Sequence, residues 1–221
     1  HYSYGRNRKK LAIGIYPLDR INFPISYLAR KPEEIKFQPL AYPKEINGRQ
    51  ILSLHPTGRQ YAHLLKDCET FPLFVDAKGE ILSMPPIINS EKTGRIDTNT
   101  KDIFIECSGF NKEFLERKIK MITCTFIDIG GKVQVIEIND KLEGDFLSPE
   151  LHFEKRVFSC EFLNNTLGLH LSEKEIKNYF SLMGIGFLKE KDIFYALIPP
   201  YRTDIIHEVD LVEEVAIAIG Y

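Results

Sequence analysis

Residues 82 to 109 read "LSMPPIINSEKTGRIDTNTKDIFIECSG" and hold the side chains best placed to do chemistry. An apolar run stops at Pro85-Pro86, and a polar loop of Asn, Ser, Thr and Gly follows. Ile103-Phe104-Ile105 then resumes the apolar pattern and ends on Glu106-Cys107-Ser108-Gly109. Successive side chains of a strand point to opposite faces. With Ile103, Ile105 and Cys107 toward the core, Phe104, Glu106 and Ser108 share the other face. A carboxylate and a hydroxyl then stand as neighbours, able to accept from and donate to a small polar group. Cys107, turned inward, is a poor candidate nucleophile. Pro85-Pro86 stiffens the facing strand end and leaves Ser83 near the same rim. Two readings fit this pattern: the polar-tipped wall of a pocket, or a strand end running into solvent.

Other catalytic signatures are missing. The chain has no G-x-S-x-G elbow, no P-loop, no Rossmann glycine set and no H-E-x-x-H. His207-Glu208 lacks the second His, and the carboxylates of "HEVDLVEE" read as the wet face of a helix. His55, His63 and Cys68 match no standard zinc spacing, so no metal is expected. The four cysteines, at 68, 107, 124 and 160, form no C-x-x-C pair, as in reduced thiols of a cytoplasmic protein.

The elements that must position these residues follow from periodicity and punctuation. The 221 residues suffice for one large or two modest domains. Leu11-Ala12-Ile13-Gly14-Ile15 reads as a short buried strand, and residues 17 to 50 as irregular and proline-punctuated. "HPTGRQYAHLLKD" predicts a helix capped by Thr57, with Gln60 completing a capping box. "DAKG" (76 to 79) marks a hairpin that sets Phe74 and Asp76 on one side and Leu73 and Val75 on the other. A helix begins after Asn111 with a core stripe of Leu115, Ile119, Ile122 and Phe126. "KVQVIEI" (132 to 138) alternates as a half-buried strand. "LEGDFLSPELHF" reads as a boundary between domains 1–147 and 148–221. Beyond it, Ser172 and Glu175 form a capping box, with Ile176, Phe180 and Met183 at helical spacing and Gly184 as a stop. Ile193 to Ile198 reads as a strand, and Thr203-Asp204 opens a helix striped by Ile205, Val209, Val212, Ala216 and Ile219. Strands and helices mix without regular alternation, which predicts an α+β fold in two domains, the first built on a mixed sheet.

No apolar run reaches the length of a membrane span. The first residues carry neither a start Met nor a signal-peptide core. The last stop directly after a helical pattern. Both ends thus read as those of a segment of a longer protein. Charge is uneven: residues 1 to 60 hold 11 Lys/Arg against 4 Asp/Glu, whereas the remainder is net acidic. Such a basic front either faces a polyanion or solvates a surface, and charge alone leaves both open.

"HPTGRQYAHLLKD", "LSMPPIINS", "NTKDIFIECSG" and "PPYRTDIIHEVDLVEEVAIAIGY" resemble the β subunit of phenylalanyl-tRNA synthetases of the archaeal and eukaryotic cytosolic type, and "GRNRKKLAIGIY-LD" looks like the same subunit just upstream. The resemblance covers essentially the whole chain. It implies an editing module at 1–147 that hydrolyses tyrosine mischarged onto phenylalanine tRNA, then a small α+β domain leading toward a catalytic-like core. It implies substrate-binding positions at Phe74, Ser83, Glu106 and Ser108, with Glu106 accepting the tyrosine hydroxyl and no assigned catalytic base. Many members carry a Leu-like residue at 74, Asp at 106 and Thr at 108, and Asp where Pro17 stands. Weak tRNA contacts are expected from Arg6, Arg8, Lys9 and Lys10. No cofactor is expected in this segment, with ATP and Mg2+ serving the whole enzyme. The implied partners are phenylalanine tRNA and the α subunit in an α2β2 assembly, in the cytoplasm and without a membrane. The alternative is a non-catalytic scaffold segment that holds tRNA or the α subunit.

Overall fold

The computed structural model describes residues 4–220. Helices mix with antiparallel sheets, in agreement with the α+β expectation. The chain divides into two compact units, His1–Leu115 and Glu116–Tyr221.

The first unit opens with β1 (Leu11–Pro17), β2 (Ser26–Arg30), β3 (Lys36–Phe37) and β4 (Ile46–Asn47). Two short helices follow: α1 (Gly48–Leu54), which begins inside the stretch read as irregular, and α2 (Pro56–Tyr61), where a helix is expected. Asn47 and Gln50 close α1 with a reciprocal capping box. His55, not Thr57, caps α2, because Pro56 takes the first helical position, where its missing N–H costs nothing. The Gly58 N–H donates to His55 Nδ1 at 3.4 Å, and the other ring nitrogen meets the Leu40 carbonyl at 3.1 Å. Both ring nitrogens of His55 are thus engaged.

Next come β5 (Phe71–Val75), β6 (Ile81–Met84), β7 (Ile88–Asn89), α3 (Glu91–Gly94) and β8 (Ile103–Gly109). β5 and β6 join through the expected turn: the Gly79 N–H donates to Asp76 O, and Gly79 sits at φ +83°. The Asp76 carboxylate accepts from Asn22, Lys78 and Glu80. Burial opposes its ionisation, but these bonds outweigh burial and hold its pKa below the ordinary value. Strands β2-β5-β6-β7 form one sheet, and β1 pairs with β8. Phe71, Leu73 and Val75 are buried in the main core with Ile51, Tyr61 and Met84. Phe74 faces the other way, as alternation requires.

The division between units falls within α4 (Lys112–Asp128), ahead of the 147/148 boundary drawn from the sequence. Asn111 caps α4, accepting from the Phe114 N–H at 2.8 Å. The expected stripe of Leu115, Ile119, Ile122 and Phe126 is only half-buried, and Lys118 and Thr123 are the buried positions.

In the second unit, β9 (Ile136–Ile138) and β10 (Phe146–Ser148) pair as a small hairpin. Val133 and Val135 stay exposed outside it, so the strand is shorter than its alternation predicts. β11 (Glu154–Phe158), α5 (Cys160–Leu167), α6 (Glu173–Leu182), β12 (Gly186–Glu190), β13 (Ile193–Ile198) and α7 (Glu208–Ile219) follow. The Ser172–Glu175 capping box and the stop near Gly184 stand as expected. The sheet runs β11-β13-β12 and packs a core of Phe158, Ile176, Phe180, Leu211, Val212 and Val215.

α7 starts at its His207 cap rather than at Thr203-Asp204. Residues 203–207 instead serve fixed contacts. Arg202 forks onto Glu214 at 2.6 and 2.9 Å and onto Asp204 at 2.8 to 3.2 Å. Asp210 accepts from the backbone of Ile206 and His207, and Glu208 from that of Ser159. These carboxylates of "HEVDLVEE" therefore fasten structure instead of wetting a face. Moving the helix start also shifts the buried stripe: Val209 and Ile219 are exposed, whereas Leu211, Val212 and Val215 are inside. Val212 is 5% exposed. Val212→Asp would bury an unpaired charge and should lower the unfolding free energy by roughly 3 kcal/mol or more. Urea unfolding checks this, and a cost below about 1 kcal/mol would place Val212 outside the core.

Candidate functional site

The site is built on β1 and β8. Their antiparallel register sets Ala12 opposite Ser108, Gly14 opposite Glu106 and Tyr16 opposite Phe104. These six residues share one face, so the grouping of Phe104, Glu106 and Ser108 follows from alternation as expected. The burial is the reverse of expectation. Glu106 is 7% exposed, while Ile103, Ile105 and Cys107 are only half-buried. A solvated strand end is thereby excluded.

A second strand pair completes the wall. Phe74 on β5 pairs with Ser83 on β6, but Val75 pairs with Ile81, which leaves Leu82 as an extra residue. Such a bulge re-aims the side chains beside it. Here it sends Ile81 into the main core and turns Leu82 and Ser83 toward Tyr16. The Tyr16 hydroxyl stands 2.8 Å from Ser83 Oγ and 3.1 Å from Glu106 Oε1. Glu106 Oε2 and Ser108 Oγ are buried and complete no well-formed hydrogen bond among the described residues, although Ser108 stands near enough to favour the charged form of Glu106. Aromatic rings surround this polar knot. Phe104 packs on Tyr16 and Phe23 with centroids 5.9 and 5.4 Å apart, and Tyr27 lies 4.8 Å from Phe74. Tyr27 and Phe23 form the exposed lip. Phe74, Ser83 and Glu106 are thus brought together, with Ser108 next along β8.

Burial pushes the Glu106 carboxyl up to about 8, against smaller opposing effects of Tyr16 and Ser108. The acid is therefore mostly neutral at pH 7. Tyr16, raised by its own burial and then by Glu106, keeps its proton. One phenolic proton cannot serve two acceptors. With Glu106 neutral, the acid donates to Tyr16 and Tyr16 donates to Ser83; with Glu106 ionised, Tyr16 donates to the carboxylate and Ser83 to Tyr16. Burial, and then the charge of Glu106, pushes the Cys107 thiol up to about 12, consistent with its reading as a poor nucleophile.

The sequence pattern missed Tyr16 and Gly14. "LAIGIYP" reads as an ordinary buried strand, yet a glycine inside a strand marks a close approach. A Cβ at Gly14 would lie 2.2 Å from the Tyr16 hydroxyl and 2.4 Å from Glu106 Oε1. Only a bare α-carbon lets the two groups meet.

The basic front separates into two kinds of residue. Arg6, Lys9 and Lys10 are exposed. Arg8 is not a free cation as expected: its guanidinium donates to the carbonyls of Pro86 and Ile87 at 3.0 and 2.5 Å and stacks 4.2 Å from the Tyr61 ring.

A buried acid held neutral has a thermodynamic signature. Below pH 4.5, the ordinary carboxyl value, folded and unfolded chains both carry the Glu106 proton. Between 4.5 and about 8 only the folded chain keeps it. Stability contributed by Glu106 is thus full below 4.5 and falls as pH rises toward 8, by up to about 1.4 kcal/mol per pH unit. Urea unfolding from pH 5 to 8 should show this slope in the wild type, and Glu106→Gln should flatten it by about one proton. Equal slopes in the two proteins would mean that Glu106 is ionised when folded.

Comparison with known proteins gives these residues a setting. Residues 157–221 match the family model of the tRNA synthetase B5 domain. Over 100% of its length the chain is 40% identical to the phenylalanine–tRNA ligase beta subunit of Methanococcus maripaludis (strain C7) and 39% identical to that of Archaeoglobus fulgidus. It spans 39% and 40% of the length of these curated relatives. The crystal structure of an N-terminal fragment of the phenylalanyl-tRNA synthetase beta subunit from Pyrococcus horikoshii is similar at a TM-score of 0.94 and 36% identity, covering 100% of this chain and 63% of that one. By sequence and by fold this chain is similar to one segment of phenylalanine–tRNA ligase beta subunits, and its residues 157–221 match the tRNA synthetase B5 domain.

Proposed function

We propose that the first unit hydrolyses tyrosine wrongly esterified to phenylalanine tRNA. The observation that carries this reading is the pair of unpartnered buried oxygens, Glu106 Oε2 and Ser108 Oγ, under a lip of aromatic rings. The rings suit an aromatic side chain, and the oxygens suit the one hydroxyl that separates tyrosine from phenylalanine. A hydrophobic pocket rejects an added hydroxyl by only about 10²-fold, whereas a site that bonds the hydroxyl rejects its absence by about 10⁴ to 10⁵. Editing uses the second, stronger test.

In this reading Phe74 and Tyr27 pack the bound ring, Glu106 and Ser108 take the phenol, and Ser83 acts through Tyr16. Phe74 fills more of the pocket than the Leu-like residue of the wider family, and Glu106 reaches one methylene farther than Asp. Water adds to the ester carbonyl, the C–O bond to the ribose breaks, and the ribose oxygen takes the proton. Cys107 is too weak an acid to serve as a nucleophile. Water activation is assigned to no side chain and rests on positioning by the ester and a neighbouring ribose hydroxyl. The whole enzyme would attach phenylalanine with ATP and Mg2+ through an α subunit in an α2β2 assembly, in the cytoplasm. No helix among the described residues is long and apolar enough to cross a membrane.

Deacylation of purified tyrosyl- and phenylalanyl-tRNA separates editing from the scaffold alternative. The wild-type chain should clear the tyrosyl ester far faster. Glu106→Ala should slow that reaction by about ten- to a hundred-fold, the worth of a hydrogen bond to a buried polar group. It should spare or speed the phenylalanyl reaction, since no orphaned acid then meets the bare ring. Equal slowing of both would assign Glu106 to support rather than choice. For the basic front, neutralising Arg6, Lys9 and Lys10 should weaken tRNA binding and lower its salt slope by up to about three. Arg8→Ala should act on stability instead. An unchanged slope in the triple variant would remove the front from the tRNA interface.

A further inference from the structure

Tyr16 lies between Glu106 on β8 and Ser83 on β6, and its hydroxyl serves neither the core nor the solvent. It is fully buried. Its ring needs no polar partner to pack against Phe104. Its hydroxyl nevertheless reaches Ser83 Oγ at 2.8 Å and Glu106 Oε1 at 3.1 Å. Gly14 clears the space in which that bond forms, for any side chain there would strike both groups. A glycine inside a strand costs roughly 0.5–1 kcal/mol relative to alanine, so the contact is bought at some expense to β1. A carboxyl held by neither oxygen turns about its last bond. Held at Oε1, it has one orientation, and that orientation leaves Oε2 buried without a hydrogen-bond partner, as Ser108 Oγ is two residues along β8.

We propose that Tyr16 is a positioning residue for tyrosine recognition: its hydroxyl, bridging Ser83 Oγ and Glu106 Oε1 across the gap left by Gly14, fixes the carboxyl so that Oε2 alone is offered to the phenol of a bound tyrosine. The proposal rests on the editing reading of the same pocket. It makes selectivity depend on three strands. Ser83 on β6 orients Tyr16, Tyr16 on β1 orients Glu106, and Glu106 on β8 meets the ligand. Ser83 thus influences the choice without touching the ring. The bridge also makes the acid easier to ionise, because the Tyr16 hydrogen bond favours its charged form.

Tyr16→Phe removes only the hydroxyl and keeps the ring. Hydrolysis of tyrosyl-tRNA by the variant chain should fall about tenfold, one ordinary hydrogen bond's worth. Hydrolysis of phenylalanyl-tRNA should change by less than about twofold, so the ratio of the two rates collapses toward the phenylalanyl value. The titration of Glu106, followed by carbon NMR of labelled glutamate, should move to higher pH. A collapsed ratio with a displaced titration supports the proposal. An unchanged ratio overturns it, whatever the titration does, and so does a collapsed ratio with an unmoved titration, because Tyr16 would then not act through the acid. If Tyr16→Phe does not fold, Gly14→Ala disturbs the same contact from another position on β1, opposite Glu106, and is read by the same two measurements. A wild-type chain that clears neither ester overturns the editing reading first. The positioning role is then read from the dissociation constants of free L-tyrosine and L-phenylalanine, whose ratio Tyr16→Phe should bring close to one. Indifference of the wild type to the two amino acids would end the proposal as well.

Discussion

A phenol has one proton to give, and Tyr16 holds it between two buried oxygens on two other strands. Much of the first unit can be understood as what that arrangement demands. β1 must carry a glycine opposite Glu106, or the phenol and the acid cannot touch. β6 must carry an extra residue, or Leu82 and Ser83 cannot both face Tyr16. Phe104 must cover the knot, or water enters and the acid ionises at its ordinary value. Each demand is local, yet together they tie the β1–β8 pair to the four-stranded sheet through polar bonds where packing alone would tolerate sliding. A buried hydrogen-bonded network gains in uniqueness what it loses in hydrophobic area.

Legibility in the sequence followed the range of the physics. Alternation named Phe104, Glu106 and Ser108 as one face, because a strand's two-residue period is purely local. The "DAKG" turn and the Ser172–Glu175 capping box were readable for the same reason. Depth was not readable. Which face of β8 is inside depends on β1 and β6, and those pairings bring together residues far apart in the chain. Tyr16 was invisible as a site residue because a tyrosine in an apolar run looks like core, and only its distant partners reveal the hydroxyl's task. Phe74 and Ser83 entered through family resemblance more than through any pattern of their own. Helix α1 hid among prolines, whose spacing marks turns but says nothing of the seven residues between Asn47 and His55.

The second unit solves a similar problem with charge. Arg202 presents its fork to Glu214 inside and to Asp204 nearer the surface, with two oxygens of each carboxylate in reach. Arginine suits this place because its planar donors match two carboxylates at once. Replacing one buried partner would strand the other, which is why such a pair fixes the entry to α7 even though its net contribution to stability is small. In the sequence Glu214 looks like part of a solvated face and Asp204 like a helix start; the three-dimensional partner turns both into fastenings.

The extra residue at Leu82 has a consequence for how such a chain can vary. Side chains can be exchanged at many positions of β6 without altering which way its neighbours point. Length cannot. Deleting Leu82 would restore regular pairing with β5 and leave Ser83 opposite Phe74, yet it would remove the side chain that packs with Tyr16 and Ile21. The more regular sheet would be the one with a gap beside Tyr16. Drift in this stretch is therefore tolerant of spelling and intolerant of counting, and the turn at Ala77–Gly79, a few residues upstream, is held to its length in the same way by the bonds of Lys78 and Glu80 to Asp76 and of Ala77 to Asn22.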